Sequence, residues 1–151
     1  MINKIQVKYE KMHADVQLPQ QQTPNSAGYD IYSYLETPIK IAPMQRVAIP
    51  TGLKVEIPPG YLISVRPRSG LSIKEGLTLI NPPGTIDADF RGEIKILMIN
   101  LSSETRIIGH QQRIAQLLLE QYYKIDFINA NIIPLTSSNR GGGGFGSTGK
   151  N

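Results

Sequence analysis

The sequence predicts an all-β domain carrying one short helical segment, and three observations predict it. Gly (14) and Pro (11) together make up about one residue in six of the 151, against a usual share near one in eight, so unbroken runs are too short for a helical bundle. Between these breaks the apolar residues fall at every second position, the period of a strand buried on one face. Turn signals recur at strand spacing, as in Pro58-Pro59-Gly60.

Taken in order, Val47 and Ile49 alternate with their neighbours, and Leu53, Val55 and Ile57 do the same. The turn at 58–60 separates these from Tyr61, Ile63 and Val65. Residues 69–75 fit the short helical turn. Residues 93–101 begin as an alternation and become almost wholly apolar, as suits a central strand buried on both faces. The stretch 110–133 contains no Gly or Pro. Ile114, Leu117 and Leu118 within it also fit one helix face, but its strand neighbours assign 113–123 to strand. The chain divides into a domain over 1–136 and a Gly-rich arm over 137–151. Four consecutive glycines, Gly141 to Gly144, bury nothing and lose much entropy on ordering. Taken alone, that arm reads as a disordered tail.

The length fits a single domain with a substantial core. Cysteine is absent, which removes disulfides, thiol catalysis and thiolate metal sites together. His13 and His110 are the only histidines. They leave too few ligands for a zinc site and no material for a histidine triad, and both read as exposed surface. The longest apolar run, Ile96-Leu97-Met98-Ile99, falls far short of the ~20 residues of a membrane span. Residues 1–16 carry no signal-peptide core, so the expected location is cytoplasmic. A net charge of +4 suits a phosphate-bearing ligand, and equally an ordinary solvated surface.

Five segments stand out: Ala27-Gly28-Tyr29-Asp30; Pro67-Arg68-Ser69-Gly70-Leu71-Ser72; Asn81-Pro82-Pro83-Gly84-Thr85-Ile86-Asp87-Ala88-Asp89-Phe90-Arg91-Gly92; Arg113-Ile114-Ala115-Gln116; and 140–149. Each alone is a weak signal. Their order and spacing, from about Lys4 to the C-terminus, resemble the trimeric dUTPases, the deoxyuridine triphosphate nucleotidohydrolases. The resemblance implies a distorted jelly-roll β-barrel assembling as a homotrimer, with each active site drawing motifs from all three chains. The implied reaction is attack of water on the α-phosphorus of dUTP, giving dUMP and pyrophosphate. Its consequences are a lower dUTP pool and dUMP for dTMP synthesis.

On that resemblance Asp87 is the catalytic carboxylate that orients the attacking water. A free Asp side chain accepts a proton from water only weakly, so positioning matters more than basicity. Taken alone, Asp87 reads as a turn residue bonded to its own backbone. Asp89 is expected to point elsewhere. The turn over 81–86 forms the uracil pocket, with Asn81, Gly84, Thr85 and Ile86 facing the base, and Lys95 lines it through its backbone. Lys95 otherwise reads as an exposed strand charge. A site that hydrogen-bonds one base edge rejects cytosine because its polar groups would go unpaired. Thymine is refused by backbone too close to admit a methyl group. Phe90 stands where the family usually has Tyr. Its ring would lie under the deoxyribose and exclude a 2′-hydroxyl, without the phenol; viewed alone it is a core aromatic.

Arg68, Ser69 and Gly70 are implied to handle the phosphates, the Arg as a fork, the Ser at the α–β bridging oxygen, the Gly by close backbone approach. Gln116 would donate to a phosphate oxygen. Gln112 stands where the family favours an acid, and Arg113 reads as structural. Asp30 resembles the acid that holds Mg2+ through water, the ion being bound mainly by the substrate phosphates; otherwise it begins a strand. In the arm, Arg140 would clamp the terminal phosphates and Phe145 would stack on uracil. Gly146 belongs to a backbone that can cradle phosphate, and Ser147 and Thr148 add hydroxyl donors. The arm would close over the substrate as a lid.

Two rival readings remain. A dCTP deaminase of the same fold shares the Arg-Ser and Ile-Asp elements but lacks the Phe-Gly-Ser-Thr arm. A nucleic-acid-binding β module suits the basic charge and the RGG-like end. However, this arm has one Arg, and aromatics for base stacking make up only 7% of the chain. The expected partner is therefore a small-molecule substrate, with neither nucleic acid nor membrane.

Overall fold

Alternation becomes strand wherever Gly or Pro leaves it unbroken. In a computed structural model of the chain, residues 4–144 are described. Their elements are β1 (Lys8–Lys11), β2 (Tyr29–Tyr32), β3 (Ile39–Ile41), β4 (Arg46–Pro50), β5 (Leu53–Glu56), β6 (Tyr61–Arg66), α1 (Ser69–Glu75), β7 (Leu77–Leu79), β8 (Gly84–Ile86), β9 (Lys95–Asn100), β10 (Arg106–Ile108) and β11 (Arg113–Gln121). The all-β expectation and the single short helix both hold among these residues.

The strands pair antiparallel in four sets: β2-β11-β6-β8, β4-β9-β7, β3-β10 and β1-β5. One apolar core lies between them, with Ile31, Ile49, Leu53, Ile96, Met98 and Ile114 almost wholly removed from water. At about 25 cal/mol per Å² of apolar area removed from water, burial of this kind is the main term holding the strands together.

The ambiguous segment settles as strand. β11 bonds to β2 on one side and β6 on the other, which no helix does. It ends at Gln121, two residues short of the expected 123. β9 is central between β4 and β7, as its apolar run predicts. Lys95 and Leu97 still face outward, and only its second half is fully buried. There Asn100 is wholly enclosed. Its Nδ2 donates to the carbonyls of Ile41 and Glu104, both at 2.8 Å, and its Oδ1 accepts from the Ser102 N–H at 2.9 Å. Satisfying every polar atom is what makes an amide tolerable at that depth.

α1 begins just after β6 and stops at Gly76, whose φ of 67° is the left-handed cap that favours glycine. Beyond β11 the described chain leaves the core: Tyr123, Phe127 and Leu135 are each more than 85% exposed. Both histidines are exposed and pack on Tyr34, His13 stacked at 4.4 Å and His110 edge-on at 5.0 Å. No helix among the described residues is long and apolar enough to cross a membrane.

Candidate active site

The sequence-predicted site residues form two groups around β6, with Asp87 and Arg68 toward opposite ends of that strand. β8 lies antiparallel to β6, with Gly84 opposite Val65 and Ile86 opposite Ile63. Asp87 therefore leaves β8 toward the start of β6, whereas Arg68 and Ser69 follow its end. At ~3.3 Å per residue, their backbones lie roughly 15–20 Å apart.

The first group surrounds a cavity of about 350 Å³, within the range that holds a small ligand. Asn81, Gly84, Thr85, Ile86, Phe90 and Lys95 all line it. The turn expected over 81–86 ends in strand: the Pro82–Pro83 bond is cis, and 84–86 join the sheet as β8. Gly84 is buried, and a Cβ there would lie 3.2 Å from Val65 Cβ, so the backbone packs closely against β6. Phe90 is 43% exposed, which removes its reading as a core aromatic.

Asp87 follows directly on β8 and is exposed. Its carbonyl accepts the Phe90 N–H at 3.2 Å, closing a tight turn. Among the described residues its carboxylate has no hydrogen-bond partner, unlike a turn Asp tied to its own backbone. Asp87 does not line the first cavity; it lines a second, open one of about 910 Å³. Asp89, expected to point elsewhere, lines that cavity too, as do Arg91, Lys8 and Glu56. Lys8, bonded to Glu56 at 2.9 Å, holds the Glu56 carboxyl below the usual range.

The second group is built on β2, β11 and the β6–α1 junction. Gln116 sits opposite Asp30 on one side and Arg66 on the other. Its amide donates to the Pro67 carbonyl at 3.0 Å. Gly28 has no side chain where the Gln116 side chain lies across it. Asp30 is 8% exposed and bridges two guanidinium groups, Arg68 Nε at 3.1 Å and Arg113 Nη1 at 3.3 Å. Arg68 Nη1 also donates to the Arg113 carbonyl at 3.2 Å. Two cations on one carboxylate leave a net positive site with Arg68 fixed in direction. Ser69 and Gly70 are exposed, and a Cβ on Gly70 would meet nothing within 4 Å, so packing within the chain does not itself require glycine there. Gln112, in place of an acid, accepts the Gly109 N–H at 3.0 Å and serves the turn before β11. Arg140 is exposed, its Nε donating to the Gly143 carbonyl at 2.7 Å. Phe145, Gly146, Ser147 and Thr148 lie outside the described residues.

Asp30 does not fit a directly ligated resident metal, since both its oxygens already accept from arginine. No group of three or more His, Asp or Glu side chains among the described residues fits one either. An ion carried in on phosphate oxygens and reaching Asp30 through its waters does fit.

Sequence reasoning missed Glu93, which lines the smaller cavity and accepts the Gly52 N–H on Oε1 at 2.9 Å. The signal was present: period two from Lys95 puts 93 and 97 on its face, and Leu97 lines the cavity as well.

A profile of the dUTPase family matches residues 14–149. A deoxyuridine 5'-triphosphate nucleotidohydrolase of Fusobacterium nucleatum is 45% identical, covering 99% of this chain and 100% of that protein. That of Bdellovibrio bacteriovorus is 49% identical, covering 95% and 93%. Among solved structures, a Tyr-to-Phe mutant of the Staphylococcus bacteriophage 80alpha dUTPase with dUpNHpp superposes with a TM-score of 0.81. It is 25% identical, with 97% of this chain and 99% of that chain covered. A phage phi11 dUTPase mutant, described for the coordination of a structural Mg(II) ion, shares the fold with a TM-score of 0.77 at 21% identity, over 89% of this chain and 100% of that one.

Proposed function

The chain belongs to the dUTPase family, and from that premise we propose that Asp87 aims the attacking water while the hairpin around β8 selects uracil. The reaction is hydrolysis of dUTP to dUMP and pyrophosphate. Water oxygen bonds to the α-phosphorus, the α–β bridging P–O bond breaks, and pyrophosphate leaves. The observation that carries the assignment is an exposed carboxylate without a hydrogen-bond partner among the described residues, on the loop joining β8 to the Phe90 wall of the smaller cavity. Held against a water in line with the α-phosphorus, Asp87 takes the water's proton as the new bond forms.

Asn81 and the β8 backbone pair with the uracil edge, and thymine is refused by backbone too close to admit its C5 methyl. Phe90 lies under the sugar. Arg68, Ser69 and Gln116 bind the phosphates, with Gly70 leaving room for them. Asp30 keeps the Arg68 guanidinium turned toward them. Asp30 would reach a magnesium ion carried on the triphosphate oxygens only through water, and the ion would supply neutralisation of their charge.

The separation of Asp87 from Arg68 along β6 supports a site shared between chains, as in the homotrimer that the family resemblance implies. The exposed apolar residues past β11 support an arm that packs on a neighbour. Arg140 and the following residues to Thr148 then close over the substrate, Phe145 on the base. The proposed location is cytoplasmic. The test is pyrophosphate release with Mg2+ from dUTP, dTTP, dCTP and UTP in parallel. Only dUTP should turn over rapidly; ammonia release from dCTP in its place would overturn the assignment in favour of a deaminase.

A further inference from the structure

We propose that Arg91 and Gly92 are positioning residues that set the ring of Phe90 and thereby the discrimination between deoxyribose and ribose. The inference rests on Phe90 being the sugar plate, and it names what holds that plate in this chain. A Phe at position 90 has no phenol to tether it, so its ring is fixed only by what it packs on and by its own backbone.

Both supports are visible. A Cβ built on Gly92 would lie 2.7 Å from Phe90 Cζ and 3.0 Å from Cε2, so the ring rests on the space glycine leaves free. Gly92 is not among the positive-φ glycines of the chain, so alanine suits its backbone and meets the ring as its only obstacle. The Phe90 backbone is held from both sides. Its N–H donates to the Asp87 carbonyl at 3.2 Å. Its carbonyl accepts from Arg91 Nη1 at 3.0 Å, and the same nitrogen donates to the Ala88 carbonyl at 2.7 Å. One guanidinium nitrogen thus spans the turn between the water-aligning acid and the sugar plate. An added methyl at 92 must swing the ring away from its present rotamer, because a carbon 2.7 Å from Cζ lies well inside van der Waals contact and the half-exposed ring is free to turn outward. Loss of the guanidinium frees the carbonyls and lets the turn open.

The test measures kcat/KM for dUTP and UTP in the wild type, Gly92→Ala, Phe90→Ala, the double variant and Arg91→Gln, each well below its melting temperature. Gly92→Ala should lower the dUTP:UTP ratio by about tenfold. The double variant should match Phe90→Ala, because a residue acting through the ring has no effect once the ring is gone. Arg91→Gln should shift the ratio in the same direction, and it decides the matter should Gly92→Ala fail to fold. A changed ratio in Phe90→Ala with unchanged ratios in Gly92→Ala and Arg91→Gln overturns the positioning role alone. An unchanged ratio in Phe90→Ala overturns the sugar-plate reading beneath it.

Discussion

Replacing Asp87 with Asn is expected to cut kcat for dUTP by about 10²- to 10⁴-fold, the range that a positioned acid–base group supplies. The amide is isosteric and still touches the water, but it cannot take the proton. Binding should survive, because Asp87 lies beside the base cavity rather than among its polar contacts. The carboxylate has no hydrogen-bond partner among the described residues and is exposed, so the fold loses nothing by its replacement. The Kd of a non-hydrolysable dUTP analogue should therefore stay within about threefold of wild type, and the thermal midpoint within a degree or two. Turnover close to wild type would remove Asp87 from its role, and a parallel loss of binding would make it a substrate ligand instead.

Deleting residues 140–151 should lower kcat/KM for dUTP by about a hundredfold or more, with secondary structure and melting temperature preserved. Every described residue from 123 to 142 is exposed, and Arg140 bonds only within its own turn. Among the described residues, nothing in the core bonds to this end. What is lost is the phosphate clamp at Arg140 and the closure that orders the triphosphate, and misplacement by ~1 Å is enough for losses of this size. Circular dichroism separates the outcomes: a folded, fully active truncation would show that the arm takes no part in the reaction.

The strands with several alternating residues, such as β5 and β6, were legible from period two alone. β3, β7, β8 and β10, at three residues each, are too short for a period to register. β8 was hidden further by its approach through Pro82 and Pro83, which read as turn. The site motifs were legible one by one, because their residue types are unusual at that spacing. The separation of Asp87 from Arg68 along β6 was not, since it depends on the register of Ile63 against Ile86. The double pairing of Asp30 was equally hidden, because Arg68 and Arg113 reach it from distant parts of the chain. Arg91 and Gly92 were within a quoted motif, but their contacts are made to backbone and to a ring face, which residue type does not announce.

The distance along β6 has a consequence for mixtures of defective chains. In the proposed trimer, one subunit supplies Asp87 and another supplies Arg68 to each cleft. Asp87→Asn and Arg68→Ala homotrimers would both be inert, yet unfolding them together and refolding would restore turnover. Each hybrid then contains a single cleft with both groups intact, and equal mixing returns about a quarter of normal activity. Two broken genes would make one working enzyme.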